Sequence, residues 1–312
     1  MKRFWVMVCV GLLLLTPVLA KAETPRVVTS IRPLHSLVSA VMQGVGEPEL
    51  LVKGVSSPHT HTLHPADMSA VQRADVLLFI SPKFETFMAK PASQVKADEA
   101  SKQVQIEVAS LKGLKRFDAR NEELEEHDEH GHEGHNHGPE DMHYWLDVSN
   151  SILVVQKVSE TLSRLDKKSA KTYQANAARY IEELKQLDAE ITAATKGFKQ
   201  QNFIVFHDAY QYFEKRYGLQ PAAALTIEPG RGTSAKHVSY IRKLAKEKGV
   251  ACLFKEPQFD PKTVASIAKD VSVPVLELDP LGSALPPGEK LYPQLMRDIA
   301  MGFNKCFQPP QD

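Results

Sequence analysis

Three histidines and one aspartate stand where the chain turns from a strand into a loop or helix, and their side chains suit metal chemistry. His59 lies in Ser57-Pro58-His59-Thr60-His61, after an extended segment. His143 opens His143-Tyr144-Trp145-Leu146-Asp147, just before a helical pattern. His207 directly follows the apolar run 203–206, and Asp279 directly follows a run ending at Leu278. In open α/β sheets, ligands bind in the crevice beyond the carboxyl ends of the strands. Three imidazoles and a carboxylate, two from each half of the chain, could fill a tetrahedral zinc sphere there. Each residue alone is weak evidence, because a lone histidine is more often a surface or satisfied core residue. Their shared placement is what lifts the set.

A second group of ligand-type residues is packed into residues 118–141, DARNEELEEHDEHGHEGHNHGPED. It holds five histidines (His127, His130, His132, His135 and His137) among ten carboxylates, with Arg120 as its one basic residue. The stretch has no apolar periodicity, so it is predicted to be a mobile loop with no face to bury. Imidazole with carboxylate suits zinc and other borderline divalent metals. Closely spaced histidines on a loop predict several weak overlapping sites. A solvated acidic spacer is the bland alternative, but histidines add nothing to solubility at neutral pH.

The elements that must position these residues are short β-branched runs alternating with helical patterns. Strands are predicted at 27–31, 49–52, 75–80, 103–108, 203–206, 222–227, 250–254 and 273–278. Helices are predicted at 33–43, 65–73, 209–217, 234–248 and 261–270. Such alternation implies parallel α/β sheets. Residues 147–196 contain no Gly and no Pro. Within them Tyr173, Ala177, Tyr180, Leu184, Leu187, Ile191 and Ala194 recur at three- and four-residue steps, the mark of an amphipathic helix. A helix over 169–196 would be roughly 42 Å long and able to join two lobes. A pair of crossover helices inside one larger sheet or barrel fits the same pattern.

The N-terminus reads as a secretory signal over residues 1–22. Lys2 and Arg3 supply a charged end, 4–19 is apolar, and Ala20-Lys21-Ala22 is a small-x-small cleavage site. Cys9 lies inside the apolar run and does not look lipidated. Cleavage takes three of the 38 basic residues and none of the 38 acidic ones, leaving a net charge of −3. No basic surplus points to nucleic acid, and no later stretch is long and apolar enough to span a bilayer. Cys252 and Cys306 remain, an even pair that invites a disulfide in an exported chain, with two buried thiols as the alternative.

At this point the residues resemble a known family. Ser30-Ile31-Arg32-Pro33-Leu34, Pro58-His59 with Leu63 and Pro65, Ala74-Asp75, and His143-Tyr144-Trp145-Leu146 all match it in order. So do Phe206-His207-Asp208-Ala209-Tyr210, Glu256-Pro257-Gln258-Phe259 and Leu278-Asp279-Pro280-Leu281-Gly282. The chain resembles the ZnuA group, the periplasmic zinc-binding proteins of bacterial ABC importers. The resemblance implies two α/β lobes, each a mostly parallel sheet flanked by helices, joined by one long rigid helix, with Zn(II) held as cargo in the cleft between them. It divides the chain into an N-terminal lobe at 23–165, a linking helix at 166–198 and a C-terminal lobe at 199–312. It implies His59, His143 and His207 as ligands, Asp279 near or on the metal, and a Cys252–Cys306 disulfide. It further implies a monomer in the periplasm that delivers zinc to a membrane permease and its ATPase, and no catalysis. Manganese-binding members carry Glu where this chain has His207, and imidazole in place of a hard carboxylate moves the site towards zinc. The first motif departs from the family: His59-Thr60-His61-Thr62-Leu63-His64 offers His61 and His64 as rivals to His59. His59 is preferred because it follows Pro58, with His61 as the alternative ligand and His64 as an exposed residue at a helix start.

Two other readings compete. A metal-dependent hydrolase on a (β/α)8 barrel also uses a His-x-His pair, later histidines and a late aspartate. Against it, the His-x-His follows the second strand, no lysine lies on a mid-chain strand between His61 and His143, and the long helix has no place in a barrel. A manganese- or iron-binding transport protein of the same family is the other. His35 and His237 fall on predicted helices and read as surface or lip residues. Glu228-Pro229-Gly230-Arg231-Gly232 lacks the Gly-Lys-Ser/Thr ending of a phosphate loop and reads as a turn.

Overall fold

Two four-stranded parallel sheets carry the molecule, and each hands the ends of its strands to the same central space. The computed structural model describes residues 24–97, 102–120, 140–198, 201–226 and 233–308. The predicted signal segment, the five histidines of the acidic stretch and the turn at 228–232 lie outside those residues. In chain order the elements are β1 (Val27–Thr29), α1 (Arg32–Met42), β2 (Glu49–Leu50), α2 (Pro65–Arg73), β3 (Val76–Phe79), α3 (Ala89–Ala97), β4 (Val104–Glu107), β5 (Phe117–Asp118) and β6 (Glu140–Asp141). There follow α4 (Val148–Leu165), α5 (Ala170–Ala194), β7 (Phe203–His207), α6 (Gln211–Tyr217), β8 (Ala223–Thr226), α7 (Ala235–Glu247), β9 (Cys252–Lys255), α8 (Lys262–Val271), β10 (Val275–Glu277) and α9 (Leu291–Phe307). The first sheet has the order β2-β1-β3-β4 and the second β10-β9-β7-β8, with every pairing parallel. Two separate open sheets rule out the barrel on which the hydrolase reading depended. The eight expected strands form both sheets, and β5 and β6 add a short antiparallel pair at the base of the acidic stretch.

Parallel strands covered on both faces read as unbroken apolar runs, and β3, Val-Leu-Leu-Phe, is buried throughout. Its residues still sort by face. Val76 and Leu78 point into the main core, while Leu77 and Phe79 join the outer cluster with Ala70, Val71, Met88 and Ala92. The second sheet repeats this: Phe203 and Val205 face the main core, and Ile204 packs outward with Ile241, Val264 and Ile267. The main core is continuous from Val27 to Cys306, so the two sheets share one interior.

The stretch without Gly or Pro is two helices, α4 and α5, that pack on each other. Asp166 accepts the backbone N–H groups of Lys168 and Ser169 and turns the chain between them. α5 has 25 residues, about 37 Å at 1.5 Å per residue. Its buried stripe is Tyr173, Ala177, Tyr180, Leu184, Leu187 and Ile191. Ala194, expected at the end of that stripe, is exposed. α9 was not foreseen. It packs on α1 and α5 as well as on β10, and a disulfide joins its Cys306 to Cys252 of β9. His35 corrects the surface reading: it is buried on α1, with Nε2 3.1 Å from the Pro48 carbonyl. His237 is half-buried on α7.

Candidate metal centre

The site is assembled from three turns. After β2 the chain runs in an open loop, and the Ser57 hydroxyl accepts the backbone N–H of His59 at 3.3 Å. The His59 ring sits edge-on to Phe84, centroids 4.5 Å apart. His143 follows β6 by two residues. Asp141 Oδ1 accepts both its backbone N–H, at 3.0 Å, and its ring Nδ1–H, at 2.8 Å. A carboxylate on Nδ1 fixes that nitrogen as the protonated one and leaves Nε2 with its lone pair free for a metal. His207 is the last residue of β7, where the strand's carboxyl end meets the cleft.

These three side chains converge. Ring centroids lie 5.6 Å apart for His59–His143, 5.1 Å for His59–His207 and 4.9 Å for His143–His207. One nitrogen from each ring lies within 4.8 Å of the others, and among the described residues no other set of His, Cys, Asp or Glu does this. The walls are mostly apolar: Pro58, Phe84, Trp145, Phe259, Pro280 and Leu281 line the pocket, together with Ser57, Glu256 and Gln258. Trp145 closes one side by donating its indole N–H to the Pro280 carbonyl at 2.7 Å.

Burial in these walls sets the charge state. It pushes the His59 imidazole down to about 3, aided by the nearby His143. Burial first, then His143 and His59, hold His207 well below its ordinary value. The His59 Nε2 and both ring nitrogens of His207 are buried without a hydrogen-bond partner. An unpaired buried polar atom costs free energy, so this cluster carries a penalty that a shared cation would relieve. Neutral imidazoles are the form that binds zinc.

The other expected site residues are placed elsewhere. Asp279 stands outside the trio, with its carboxylate committed to its own turn. It accepts from Gln258 Nε2 at 2.7 Å, from the Leu281 backbone N–H at 2.9 Å and from that of Ser283. The carboxylate that faces His207 is Glu256, with Oε2 3.6 Å from Nδ1. Burial, and then Asp279, raise the Glu256 carboxyl well above its usual range. Tyr210 donates its hydroxyl to the other Glu256 oxygen at 3.3 Å. His61 is not among the converging ligands, and its ring packs edge-on to Phe87, centroids 5.1 Å apart. His64 is exposed at the start of α2, where its backbone N–H donates to Asp67. Sequence reading gave no role to Asp141 or Glu256. The signals were present: Asp141 precedes His143 by two residues, and Glu256 follows β9 as His207 ends β7.

A family profile described as ZnuA, "Zinc-uptake complex component A periplasmic", matches residues 27–306. The high-affinity zinc uptake system protein ZnuA of Brucella abortus is 39% identical over 311 residues, covering 91% of this chain and 92% of that protein. The protein of the same name from Paracoccus denitrificans is 34% identical over 310 residues, covering 92% and 93%. Among solved structures, the periplasmic zinc binding protein TroA from Treponema pallidum superposes with a TM-score of 0.74 at 20% identity, covering 90% of this chain and 99% of that one.

Proposed function

The chain belongs to the ZnuA family of periplasmic zinc-uptake components, and from that premise we propose that it captures Zn(II) in the cleft for delivery to an ABC importer. The proposed ligands are His59, His143 and His207. The observation that carries the reading is the convergence of three imidazoles, two buried and one half-buried, from three separate parts of the chain on one mostly apolar pocket. Zinc takes imidazole nitrogen at about 2.0–2.1 Å and tolerates tetrahedral sites built from such donors. An all-nitrogen trio favours it over manganese, which prefers oxygen. Asp279 is proposed as the anchor of the 279–283 turn, and Glu256 as the carboxyl beside His207 Nδ1 that closes this side of the site. The metal is cargo, so the site has to hold it without turning anything over.

The partners in this reading are a membrane permease and an ATPase, and the compartment is the periplasm, reached through the signal at 1–22. No helix among the described residues is long and apolar enough to cross a membrane, which suits a component that meets its permease from outside. The five histidines of the acidic stretch are proposed to bind further zinc more weakly. The test is a titration of the metal-free protein with zinc and with manganese, in competition with a chromophoric chelator. One tight zinc site with weaker manganese binding supports the proposal. Equal affinity for both metals would move it to the manganese-transport reading, and no tight site would remove it.

A further inference from the structure

The β5–β6 pair belongs to the first lobe by sequence, yet it is fastened to α6 of the second. Tyr212 donates its hydroxyl to the Asp141 carbonyl at 2.8 Å and accepts from the Phe117 N–H at 3.3 Å. Gln211 Nε2 donates to the Asp118 carbonyl at 3.1 Å and to Asp141 Oδ2 at 3.2 Å. Arg120, just past β5, completes the joint. Its guanidinium reaches Asp208 Oδ1 at 2.6 Å and Glu214 Oε2 at 2.5 Å, and both carboxylate side chains are almost fully buried, 3% and 2% exposed. Taking carboxylates out of water is costly unless a cation with good geometry meets them, and the forked guanidinium meets both at once.

Each end of this joint touches a residue that positions the trio. Asp141, held by Gln211 and Tyr212, fixes the His143 ring. Asp208, held by Arg120, is the residue after His207, and its backbone N–H is tied to Thr226 of β8. The geometry points to Arg120 as a positioning residue: its double ion pair sets the spacing between His143 on one lobe and His207 on the other. This rests on the proposed zinc reading of the trio.

Positioning and simple electrostatics predict opposite signs. Removing a cation near a cation site should tighten metal binding if charge alone matters. If Arg120 is a brace, its loss should weaken binding, because metal affinity falls when the groups that orient the ligands are removed. The experiment uses the full chain, with zinc affinity from chelator competition and the visible absorption of the Co(II)-loaded protein as a report on ligand geometry. Arg120→Ala is expected to weaken the tight site by about tenfold or more and to change the Co(II) bands. Arg120→Lys keeps the charge but loses the fork, and should weaken binding less while still altering the bands. Unchanged or tighter zinc binding in Arg120→Ala overturns the proposal, as does weaker binding with unaltered Co(II) bands. Should Arg120→Ala not fold, Arg120→Lys decides by the same two readouts. A wild-type chain with no tight zinc site would instead strike the zinc reading itself, whatever Arg120 does.

Discussion

At the scale of single residues, the chemistry depends on which ring nitrogens are held free. His143 is oriented by Asp141, and His207 faces Glu256. Replacing an outer partner of a metal ligand typically costs 10–100-fold in affinity, so Asp141→Asn should weaken zinc binding by roughly that factor while leaving the fold intact. Isothermal titration at fixed pH would measure it, and an unchanged affinity would deny Asp141 its role. The first motif gives a ranking. His59→Ala should lose tight binding, while His61→Ala and His64→Ala keep most of it, because His61 packs on Phe87 and His64 starts α2. The reverse order would put His61 in the coordination sphere. Acid should act on the metal-free fold through His59. Its imidazole is lowered to about 3 in the folded chain against 6.5 when free, so between those values the unfolded chain binds the extra proton. Stability of the metal-free protein should therefore fall as pH drops from about 6.5 towards 3. A comparison of thermal midpoints with His59→Gln over that range, expected to show a shallower fall in the variant, checks the sign.

At the scale of elements, the turn after β3 is held by a buried carboxyl. Glu85 Oε2 accepts the backbone N–H groups of Ile80, at 2.7 Å, and Ser81, at 3.3 Å, and this turn presents Phe84 to His59 and His143. Burial raises the Glu85 carboxyl from 4.5 to about 8. A raised acid binds its proton more tightly when folded. Its stabilising contribution is therefore complete below pH 4.5 and lost as pH rises through about 8. Glu85→Gln keeps an acceptor for both N–H groups and should flatten the loss of stability across that window. A thermal-shift series with the same slope in both proteins would contradict this. The disulfide is a second tie between elements. Closing the loop between Cys252 and Cys306 stabilises by about 4 kcal/mol in the chain-entropy view. Cys252→Ser/Cys306→Ser should lower the melting point by roughly 10 °C and leave zinc affinity nearly unchanged.

Most of the eight sheet strands were legible as short runs rich in apolar and β-branched residues, β4 by its alternation Val-Gln-Ile-Glu, and α5 because its stripe repeats over many turns. α9 was not, since Pro293 and Gly302 both read as helix breakers. Pro293 falls in the first turn, where its missing N–H costs nothing. Gly302 lets the helix press on Leu278, whose side chain would collide with a Cβ there. The β5–β6 pair left no local signal, because two-residue strands meet across the whole acidic stretch. Asp141 was masked by the other carboxylates of that run. The convergence of the histidine trio was legible by motif and placement, whereas the hydrogen bonds that Asp279 accepts from Gln258 and from its own turn were not, because sequence order does not reveal them.

At the scale of the whole molecule, the two lobes share a core and several direct ties. Trp145 donates to Pro280, and Tyr292 of α9 donates to the Trp145 carbonyl at 2.7 Å. Arg32 and Ser36 of α1 donate to the carbonyls of Leu285 and Glu289, both at 3.0 Å. Arg216 of α6 reaches Asp147 at the start of α4 and Asp188 of α5. Two lobes tied in this way should not swing apart, so small-angle scattering should give the same radius of gyration with and without zinc. A clear contraction on binding would show a hinge that these contacts do not allow. In the proposed function the three converging imidazoles form the primary zinc site, separate from the acidic stretch. The most direct measurement is a chelator-competition titration of a chain lacking residues 122–138, alone and with His207→Ala. One tight site is expected in the first, with the weaker sites of the full chain gone, and no tight site in the second. Tight binding that vanishes with the deletion while the fold survives, or that persists in His207→Ala, would contradict it.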